Sequence, residues 1–334
     1  MGSKPILVLG VETSCDETSV AVVSSNKHVL FHEIFTQDHR IYNGVYPEFA
    51  SREHLKILPL LLEKASLAHD LKSLDAIAYT KGPGLIGSLI VGTMMAQGLA
   101  FSLGKRILAI NHLEGHILAS RLFYEIDFPF IALLISGGHS QLVCTERIGK
   151  YNVLGETLDD AFGETFDKLA TMLGFPYPGG KTIEKFALNG NPSRFHLPGA
   201  MINQSNCNFS LSGIKTALKK IIDSLPIVTS EDKADICASF QACVVKIITS
   251  KLEQAVKISG HRRIVLTGGV GSNLYIRESI QEFANERGLS LYFPPVQLCT
   301  DNAAMIAWAA IERMNFGCKE LSPEPQPRLK FESL

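Results

Sequence analysis

The chain has 334 residues, of which 46% are hydrophobic and 19% are charged, the composition of a well-packed globular protein. This length exceeds the usual size of a single hydrophobic core, so two domains are expected. The formal net charge of −1 excludes a global electrostatic attraction to nucleic acid or membrane, so a nucleic-acid substrate requires a local basic patch or a partner protein.

The chain opens with a predicted hairpin of buried strands. Residues 6–11 form a continuous apolar run, a polar turn follows at 12–19, and further strands are predicted at 20–23 and 29–35. A turn rich in Asp, Thr and Ser suits metal-phosphate binding, because carboxylates bind the metal while hydroxyls and amides meet the oxyanion. A polar hairpin without a ligand is the alternative interpretation.

An alternation of helices and strands follows the hairpin. A helix is predicted over 55–69, a strand at 75–79 and a long helix of small residues over 88–102, which the glycine-rich loop 81–88 opens. Backbone amides of such a loop can bind an anion, but no Gly-Lys-Ser/Thr follows, so it is not a P-loop. A strand at 106–110 then leads into a histidine-containing helix.

That helix contains two histidines four residues apart, His112 and His116. This spacing places both imidazoles on one helix face, where they can reach one metal ion. Glu114 follows His112 by two residues and is rotated about 200° from it, towards the back of the helix. The pattern therefore favours a metal pair and argues against a zinc protease, in which a catalytic Glu directly follows the first His. An ordinary helix with solvated histidines is the alternative.

The second half of the chain repeats the first. A strand at 130–135 precedes a tight polar turn at 136–140, and strands at 141–144 and 151–154 complete the pattern. Two such hairpins, each opening an α/β half, are the architecture of actin-like and sugar-kinase-like ATPases, with a nucleotide in the cleft between the halves. The predicted N-terminal lobe is residues 1–128, and the predicted C-terminal lobe is residues 129–334. The C-terminal lobe is predicted to contain a helical insertion at about 156–260.

Three further stretches bear on function. The acidic segment 155–168 reads as a solvated helix face or as part of a ligand cleft, and 181–230 reads as polar and irregular, with a helix following at 231–259. The strand–glycine turn–helix unit around 268–273 lets the backbone approach a ligand closely. Asp301 either caps a helix or completes a His-His-Asp metal site with the two histidines.

These motifs together resemble the universal tRNA threonylcarbamoyltransferases, in their bacterial and mitochondrial branch, once described as O-sialoglycoprotein endopeptidases. The resemblance runs in order from position 6 to about 310. The matching stretches are Val11–Thr18, Val45–His54, Lys81–Ser88, His112–His116, Ser136–Gln141, Gly155–Lys168, Tyr177–Gly180, Phe209–Thr216, Gly268–Asn273 and Thr300–Ala304.

The resemblance implies an α/β actin-like (ASKHA) fold of two duplicated lobes with the active site in the cleft between them. It implies transfer of threonylcarbamoyl from threonylcarbamoyl-AMP to N6 of the adenosine 3′ of the anticodon, A37, in tRNAs reading codons that begin with adenine. The metal ligands would be His112, His116 and Asp301, and Asp16 would be a catalytic residue. The adenylate would be held by Leu134, Ile135, Ser136, Gly137, Gly138, Asp167, Gly180 and Asn273.

The same resemblance implies a set of cofactors and partners. One divalent metal, iron or zinc, is expected in each subunit, and ATP or another adenine nucleotide could occupy the adenylate site. The partners would be tRNA, a degenerate paralogue forming a heterodimer, a small P-loop ATPase and an upstream threonylcarbamoyl-AMP synthase. A homodimer is the expectation for a mitochondrial-type member. Arg40, Arg52, Lys56, Lys215 and Lys219 are expected to touch tRNA phosphates.

Competing interpretations stay open at this point. An actin-like ATPase or sugar kinase would share the fold without needing the His-His-Asp set, and a metalloprotease is disfavoured by the place of Glu114. Seven cysteines without a CxxC spacing favour a reducing compartment. No signal peptide, transit segment or apolar stretch long enough to span a bilayer is recognised, so the expected location is the cytoplasm, without a membrane.

Overall fold

A computed structural model describes residues 4–318 and 321–331 of the chain. Within them, two five-stranded mixed sheets carry helices, which makes the fold α/β as predicted. The strands are β1 Leu7–Glu12, β2 Glu17–Ser24, β3 Val29–Thr36, β4 Ala76–Gly82, β5 Arg106–Asn111, β6 Phe130–Ile135, β7 Ser140–Arg147, β8 Lys150–Glu156, β9 Arg263–Thr267 and β10 Ser290–Tyr292. The helices are α1 Pro47–Ala68, α2 Ile86–Leu103, α3 His112–Leu118, α4 Phe162–Met172, α5 Gly180–Ala187, α6 Ser212–Ser224, α7 Ser230–Ser259, α8 Leu274–Glu286 and α9 Ala303–Asn315.

The two sheets have the same strand order, which confirms the predicted repeat. In the first sheet the order is β3-β2-β1-β4-β5, and in the second, read from the other edge, it is β8-β7-β6-β9-β10. The central strand of each pairs antiparallel with the next strand in sequence and parallel with a later one, β1 with β2 and β4, and β6 with β7 and β9. Each sheet therefore begins with a hairpin and is completed by parallel crossover strands.

Helix boundaries differ from the predicted ones where prolines and glycines occur. The first helix begins at Pro47 rather than at residue 55, because proline's fixed φ suits the first turn, where no backbone donor is needed. The helix α5 begins at Gly180, one residue before the stretch 181–230 that was predicted to be irregular, and continues within it to Ala187. Four helices, α4 to α7, occupy the chain between β8 and β9, the stretch in which the insertion was predicted.

Contacts divide the chain into two compact units, each with its own core. The first comprises residues 1–126, 147–151 and 294–334, and the second comprises 127–146 and 152–293. This differs from the predicted lobes, which placed all of 129–334 together. The difference arises because α9 returns to pack against β1, β2 and β4 of the first sheet, carrying Asp301 with it.

The helix α2 corrects the expectation that no segment is long and apolar enough to cross a bilayer. Over Ile86–Leu103 its mean hydropathy is 1.5, so it meets that test by length and composition, with 39% of it buried in the first unit. It packs against α1 and β4, as a core helix does. Its open face carries a stripe of exposed apolar side chains, Ile86, Ile90, Met94 and Phe101.

Candidate functional site

The metal-helix candidate α3 begins directly at the end of a buried strand. Asn111, the last residue of β5, caps the helix, because its side-chain oxygen accepts hydrogen bonds from the amides of Leu113 and Glu114 at 2.8 and 3.2 Å. The cap fixes where the first turn starts, so His112 is the first helical residue and His116 lies one turn later. Both imidazoles are buried.

The structure brings together the predicted ligands His112, His116 and Asp301, whose ligand atoms lie within 4.8 Å of one another. The Nε2 atoms of His112 and His116 lie 3.4 and 3.0 Å from the same oxygen of Asp301. Two imidazoles and a carboxylate form the donor set found in zinc sites and in non-haem iron sites, and these atoms converge on one point. The residues therefore fit a divalent metal.

Glu12, at the end of β1, completes this cluster and was not among the predicted site residues. It is fully buried, and its Oε2 lies 3.1 Å from Nδ1 of His112. The same carboxylate accepts hydrogen bonds from the amide of Ser14, at 2.5 Å, and from the hydroxyl of Thr80. A signal existed in the sequence, because a carboxylate at the end of an apolar strand needs a buried partner.

Electrostatics couple the four ionisable groups of this cluster. Burial opposes the charge on Asp301, but His112 and hydrogen bonds from both imidazoles outweigh it and hold the pKa of this carboxyl well below its usual range. Burial likewise opposes the charge on His112, but Asp301 and Glu12 outweigh it and raise its pKa well above the ordinary value. Burial lowers the pKa of His116.

Glu114 lies away from the metal ligands, as predicted. Both of its carboxylate oxygens are 3.0 Å from a guanidinium nitrogen of Arg313, and one accepts a 2.6 Å hydrogen bond from the hydroxyl of Tyr151. Glu114 and Arg313 are both buried. This carboxylate fixes the back of α3 and cannot activate a water held by the histidines, which removes the protease interpretation.

Asp16, the predicted catalytic residue, lies in the turn between β1 and β2. It is half-buried, and its carbonyl accepts a hydrogen bond from the amide of Gln37 at 3.1 Å. The next residue, Glu17, is surrounded by carboxylates. Burial, followed by the charges of Asp16 and Asp301, raises the pKa of Glu17 well above its usual value. The catalytic role of Asp16 stays a prediction.

The predicted adenylate turn in the second unit combines buried and exposed residues. Leu134 and Ile135 belong to β6 and are fully buried, so their side chains cannot touch a ligand. The turn itself is closed by the amide of Ser136, which donates to the carbonyl of His139 at 2.8 Å. Gly137 and Gly138 are exposed at its tip, with nothing within 4 Å of where a Cβ would stand. This exposed backbone is the part that can meet a ligand.

The remaining predicted adenylate residues lie on α4 and at the starts of α5 and α8 in the same unit. Asp167 on α4 accepts a 2.7 Å hydrogen bond from the amide of Gly179, which precedes Gly180 at the start of α5. Asn273 caps α8 through its oxygen and donates to Gln241 at 2.6 Å. These contacts join the middle of α4 to the start of α5, and the start of α8 to α7.

Four of the basic residues expected to touch tRNA phosphates have acidic neighbours. The pairs are Arg40 with Asp38, Arg52 with Glu48, Lys56 with Glu53, and Lys215 with Asp160. The basic side chains of the first three pairs are exposed, so these ion pairs contribute little free energy and do not prevent the side chains from exchanging partners. Lys215 and Asp160 are mostly buried, with 25% and 13% of their side chains exposed. The phosphate contacts stay a prediction.

Comparison with known sequences identifies a family. Residues 28–308 match the family described as tRNA N6-adenosine threonylcarbamoyltransferase. A protein of that name from Neorickettsia sennetsu is 73% identical over 97% of this chain and 98% of its own length. Another from Wolbachia pipientis wMel is 49% identical over 98% of this chain and 99% of its own.

Comparison with solved structures concerns the fold alone, because the sequence identities are low. Full-length HypF, in a phosphate- and nucleotide-bound form, matches with a TM-score of 0.62 and 12% identity over 93% of this chain. The chain spans 56% of HypF. Component A of (R)-2-hydroxyglutaryl-CoA dehydratase from Acidaminococcus fermentans matches with a TM-score of 0.53 and 13% identity, over 92% of this chain and 96% of its own. These neighbours support the actin-like fold.

Proposed function

The chain belongs to the tRNA N6-adenosine threonylcarbamoyltransferase family, and we propose that it is a metal-dependent member. In this proposal the threonylcarbamoyl group passes from threonylcarbamoyl-AMP to N6 of the adenosine 3′ of the anticodon, in tRNAs reading codons that begin with adenine. The observation that carries the metal dependence is the convergence of His112, His116 and Asp301 on one point.

The three ligands would hold one divalent ion, iron or zinc. When bound, such an ion supplies Lewis-acid polarisation of a carbonyl or phosphate oxygen. The protein's own contribution is to keep two imidazole lone pairs and one carboxylate oxygen aimed at one point, and to exclude water through burial of both histidines. A phosphoryl-transferring kinase would not need this set of ligands.

The second unit would bind the adenylate. The exposed backbone of Ser136 to Gly138 would face its phosphate, because amides in a tight turn bind oxyanions. Asp167, Gly180 and Asn273 would hold the nucleoside from the middle of α4 and from the starts of α5 and α8. The mixed carbamoyl-phosphate anhydride is already activated, so the reaction needs placement of the amine and charge stabilisation rather than a nucleophilic side chain. Asp16 would assist from the β1–β2 turn.

The proposed partners are tRNA, a degenerate paralogous subunit, a small P-loop ATPase and the enzyme that makes the adenylate. The apolar stripe on α2 supports the paralogous subunit, because an exposed row of Ile86, Ile90, Met94 and Phe101 is typical of an interaction surface. The proposed compartment is the cytoplasm, and all seven cysteines being free supports a reducing environment.

The direct test is transfer in vitro. Purified protein with its partner proteins would receive threonine, bicarbonate, ATP, the adenylate-forming enzyme and an unmodified tRNA, and modified adenosine would be measured by mass spectrometry of digested tRNA. We expect product with the wild type, and loss of about 100-fold or more in rate with Asp301→Asn, since one charged metal ligand is removed. Absence of product from metal-loaded wild-type protein with competent partners would contradict the proposal.

A matched control for that assay is Asp235→Asn. Asp235 is also a buried carboxylate, which binds Arg194 at 2.7 Å in the second unit. It lies outside the proposed metal and adenylate residues, so loss of transfer in Asp301→Asn but not in Asp235→Asn separates a site effect from a general loss of a buried charge.

A further inference from the structure

Two exposed tyrosines stack on each other where the chain enters α1. The ring centroids of Tyr42 and Tyr46 lie 5.1 Å apart, and the ring planes are tilted by 20°. The two residues are 44% and 47% exposed. In a second stacked pair, Phe128 with Phe130, the Phe130 side chain is fully buried and belongs to the core. The tyrosine pair instead lies at the surface, where a third ring can stack on it.

The backbone between the two tyrosines fixes this stack. Asn43 has a left-handed φ of 51°, and its amide donates to the carbonyl of Arg40 at 3.2 Å. Gly44 follows with a φ of 153°. Asn and Gly adopt positive φ more easily than other residues, so the chain turns back here and brings the rings of residues 42 and 46 together.

Two further rings support the pair from the protein side. Phe49, on α1, lies 5.5 Å from the ring of Tyr42 and 5.2 Å from the ring of His39, which it meets edge-on at 83°. His39 is buried, and its Nδ1 accepts a hydrogen bond from the amide of Tyr46 at 3.3 Å. The two tyrosines, which we call the tyrosine platform, are therefore the outer part of a four-ring cluster.

Hydrogen bonds join the tyrosine platform to the turn between β1 and β2. Nε2 of His39 lies 2.9 Å from Oε1 of Gln37, and the amide of Gln37 donates to the carbonyl of Asp16 at 3.1 Å. Ser14 is two residues from Asp16, a separation of at most about 7 Å along the chain. Its hydroxyl lies 3.2 Å from the metal-ligand candidate His112. The platform is thus attached to the same turn as the proposed reaction site.

The chemistry of the platform suits a nucleobase. Exposed aromatic side chains stack on the unpaired bases of single-stranded RNA loops. The charged side chains beside the platform pair with each other, Arg40 with Asp38 and Arg52 with Glu48, so this surface carries little net charge. A neutral, planar base is a better match to it than a phosphate group.

The proposed reaction supplies such a base. An enzyme that acts on a base moves it out of the stack and into its active site. In the anticodon loop, removal of the target adenine from the stack leaves the neighbouring base without one of its stacking partners. A ring surface beside the reaction site would replace that partner.

We propose that Tyr42 and Tyr46 form a stacking platform for an unpaired base of the tRNA anticodon loop, next to the adenosine that is modified. This inference rests on the proposed function. A protein subunit is the competing occupant, because the neighbouring Ile41 is also exposed and apolar. The two occupants differ in what they require, since a base needs flat rings whereas a protein surface needs apolar area.

The variants separate ring stacking from apolar contact. Tyr42→Leu/Tyr46→Leu removes both rings and keeps apolar side chains, and Tyr42→Phe/Tyr46→Phe keeps both rings. Tyr124→Leu is the matched control, because Tyr124 lies in the same unit, is 42% exposed and is not part of the platform. Thermal unfolding checks that each variant is folded, and the single variant Tyr42→Leu is used if the double leucine variant is not.

The experiment measures tRNA binding by the full chain together with its partner proteins. The tRNA is unmodified and carries 2-aminopurine, whose fluorescence falls when it stacks, at each of the two loop positions that flank the target adenosine in turn. Dissociation constants are measured over a range of salt concentrations. Binding of the paralogous subunit is measured separately for each variant.

We expect the leucine variant to bind tRNA about 5- to 150-fold more weakly than the wild type, the range found when one base loses an aromatic stacking partner. The slope of log affinity against log salt should not change, because no phosphate contact is removed. The 2-aminopurine at one of the two positions should stay bright in the leucine variant and be quenched in the wild type. The phenylalanine variant and Tyr124→Leu should behave as the wild type does.

Three results would overturn the inference. The first is a folded leucine variant with wild-type affinity for tRNA. The second is a smaller salt slope with unchanged 2-aminopurine quenching, which would assign a phosphate to this surface. The third is loss of the paralogous subunit with wild-type tRNA binding, which would assign a protein.

Failure of the proposed function gives a different pattern. Wild-type protein that quenches 2-aminopurine through the tyrosines but forms no modified adenosine would contradict the transfer and support the platform. Wild-type protein that forms modified adenosine, with a leucine variant that binds tRNA normally, would contradict the platform alone. Wild-type protein with neither transfer nor tRNA binding would overturn both.

Discussion

The two units share a strand order but differ in the turn that closes their first hairpin. In the first unit the chain leaves β1 through Thr13 and Ser14, which are buried. In the second it leaves β6 through Gly137 and Gly138, which are exposed. The first turn places side chains against an imidazole, and the second presents backbone to solvent. In the proposed function, one repeated topology would thus serve two chemistries, a metal in one unit and an oxyanion in the other.

The two turns are nevertheless supported in the same way. In each unit the glycine turn after the parallel partner strand packs directly on the hairpin end. A Cβ on Gly84 would lie 2.6 Å from the carbonyl oxygen of Ser14, and one on Gly268 would lie 2.5 Å from that of Ile135. The scaffold is common to both halves, so the proposed difference in chemistry comes from the residues at the turns and, in the first unit, from the metal-ligand candidates on α3 and before α9.

The largest predicted effect concerns the buried ion pair between Glu114 and Arg313, which lies behind α3 in the first unit. Replacing Arg313 with Leu leaves the buried Glu114 without its cation, and the unfolding free energy should fall by about 3–5 kcal/mol in urea titration. Arg287→Leu, which alters a partly exposed pair with Glu253, should change it by less than about 1 kcal/mol. Equal losses of unfolding free energy in the two variants would contradict the conclusion that the Glu114–Arg313 pair fixes α3.

The second prediction tests the open turn. Gly137→Val adds a side chain where nothing lies within 4 Å, so folding should be kept while AMP affinity falls at least about tenfold, equal to roughly 1.4 kcal/mol. Calorimetric titration with AMP measures this. Gly213→Val, also in open space in the same unit, is the control and should bind AMP as the wild type does. Unaltered binding by Gly137→Val would place the phosphate elsewhere.

The third prediction tests the closed turn. Gly84→Ala forces a methyl group onto Ser14 and should lower the unfolding free energy by about 1–3 kcal/mol. Gly98→Ala lies in α2 with open space around it, and should raise stability by up to about 1 kcal/mol because alanine favours helix. Urea unfolding of both variants should therefore show opposite signs. A change in unfolding free energy of the same sign in both variants would contradict the predicted steric clash at Ser14.

The smallest predicted effect is a pH dependence near the first turn. His54 is buried, donates to the carbonyl of Cys15 at 3.0 Å, and burial lowers its pKa below 6.5. The unfolded state then binds more protons, so the stability contributed by neutral His54 is complete above pH 6.5 and declines as pH falls through its folded pKa. The difference in unfolding free energy between wild type and His54→Gln should shrink below pH 6.5. A difference that grows on acidification would contradict this assignment.

The repeated order of strands could be predicted from the sequence, because buried strands such as β1 and β6 are continuous apolar runs. It placed His112 and His116 together because helical spacing is local. It could not place Glu12, which meets His112 across 100 residues through the pairing of β1 with β4 and β4 with β5. Asp301 was assigned by resemblance, and its position depends on α9 packing on the first sheet, which no spacing reveals.

The most direct test of the proposed division between a metal site and an adenylate site measures both kinds of binding in a variant of each site. Metal content and AMP affinity are measured for His116→Ala and Gly137→Val, using calorimetry for AMP and elemental analysis for the metal. We predict that His116→Ala loses metal and keeps AMP binding, and that Gly137→Val keeps metal and loses AMP binding. If either variant loses both, or if metal content survives the loss of His116, the proposed division of chemistry between the two units is wrong.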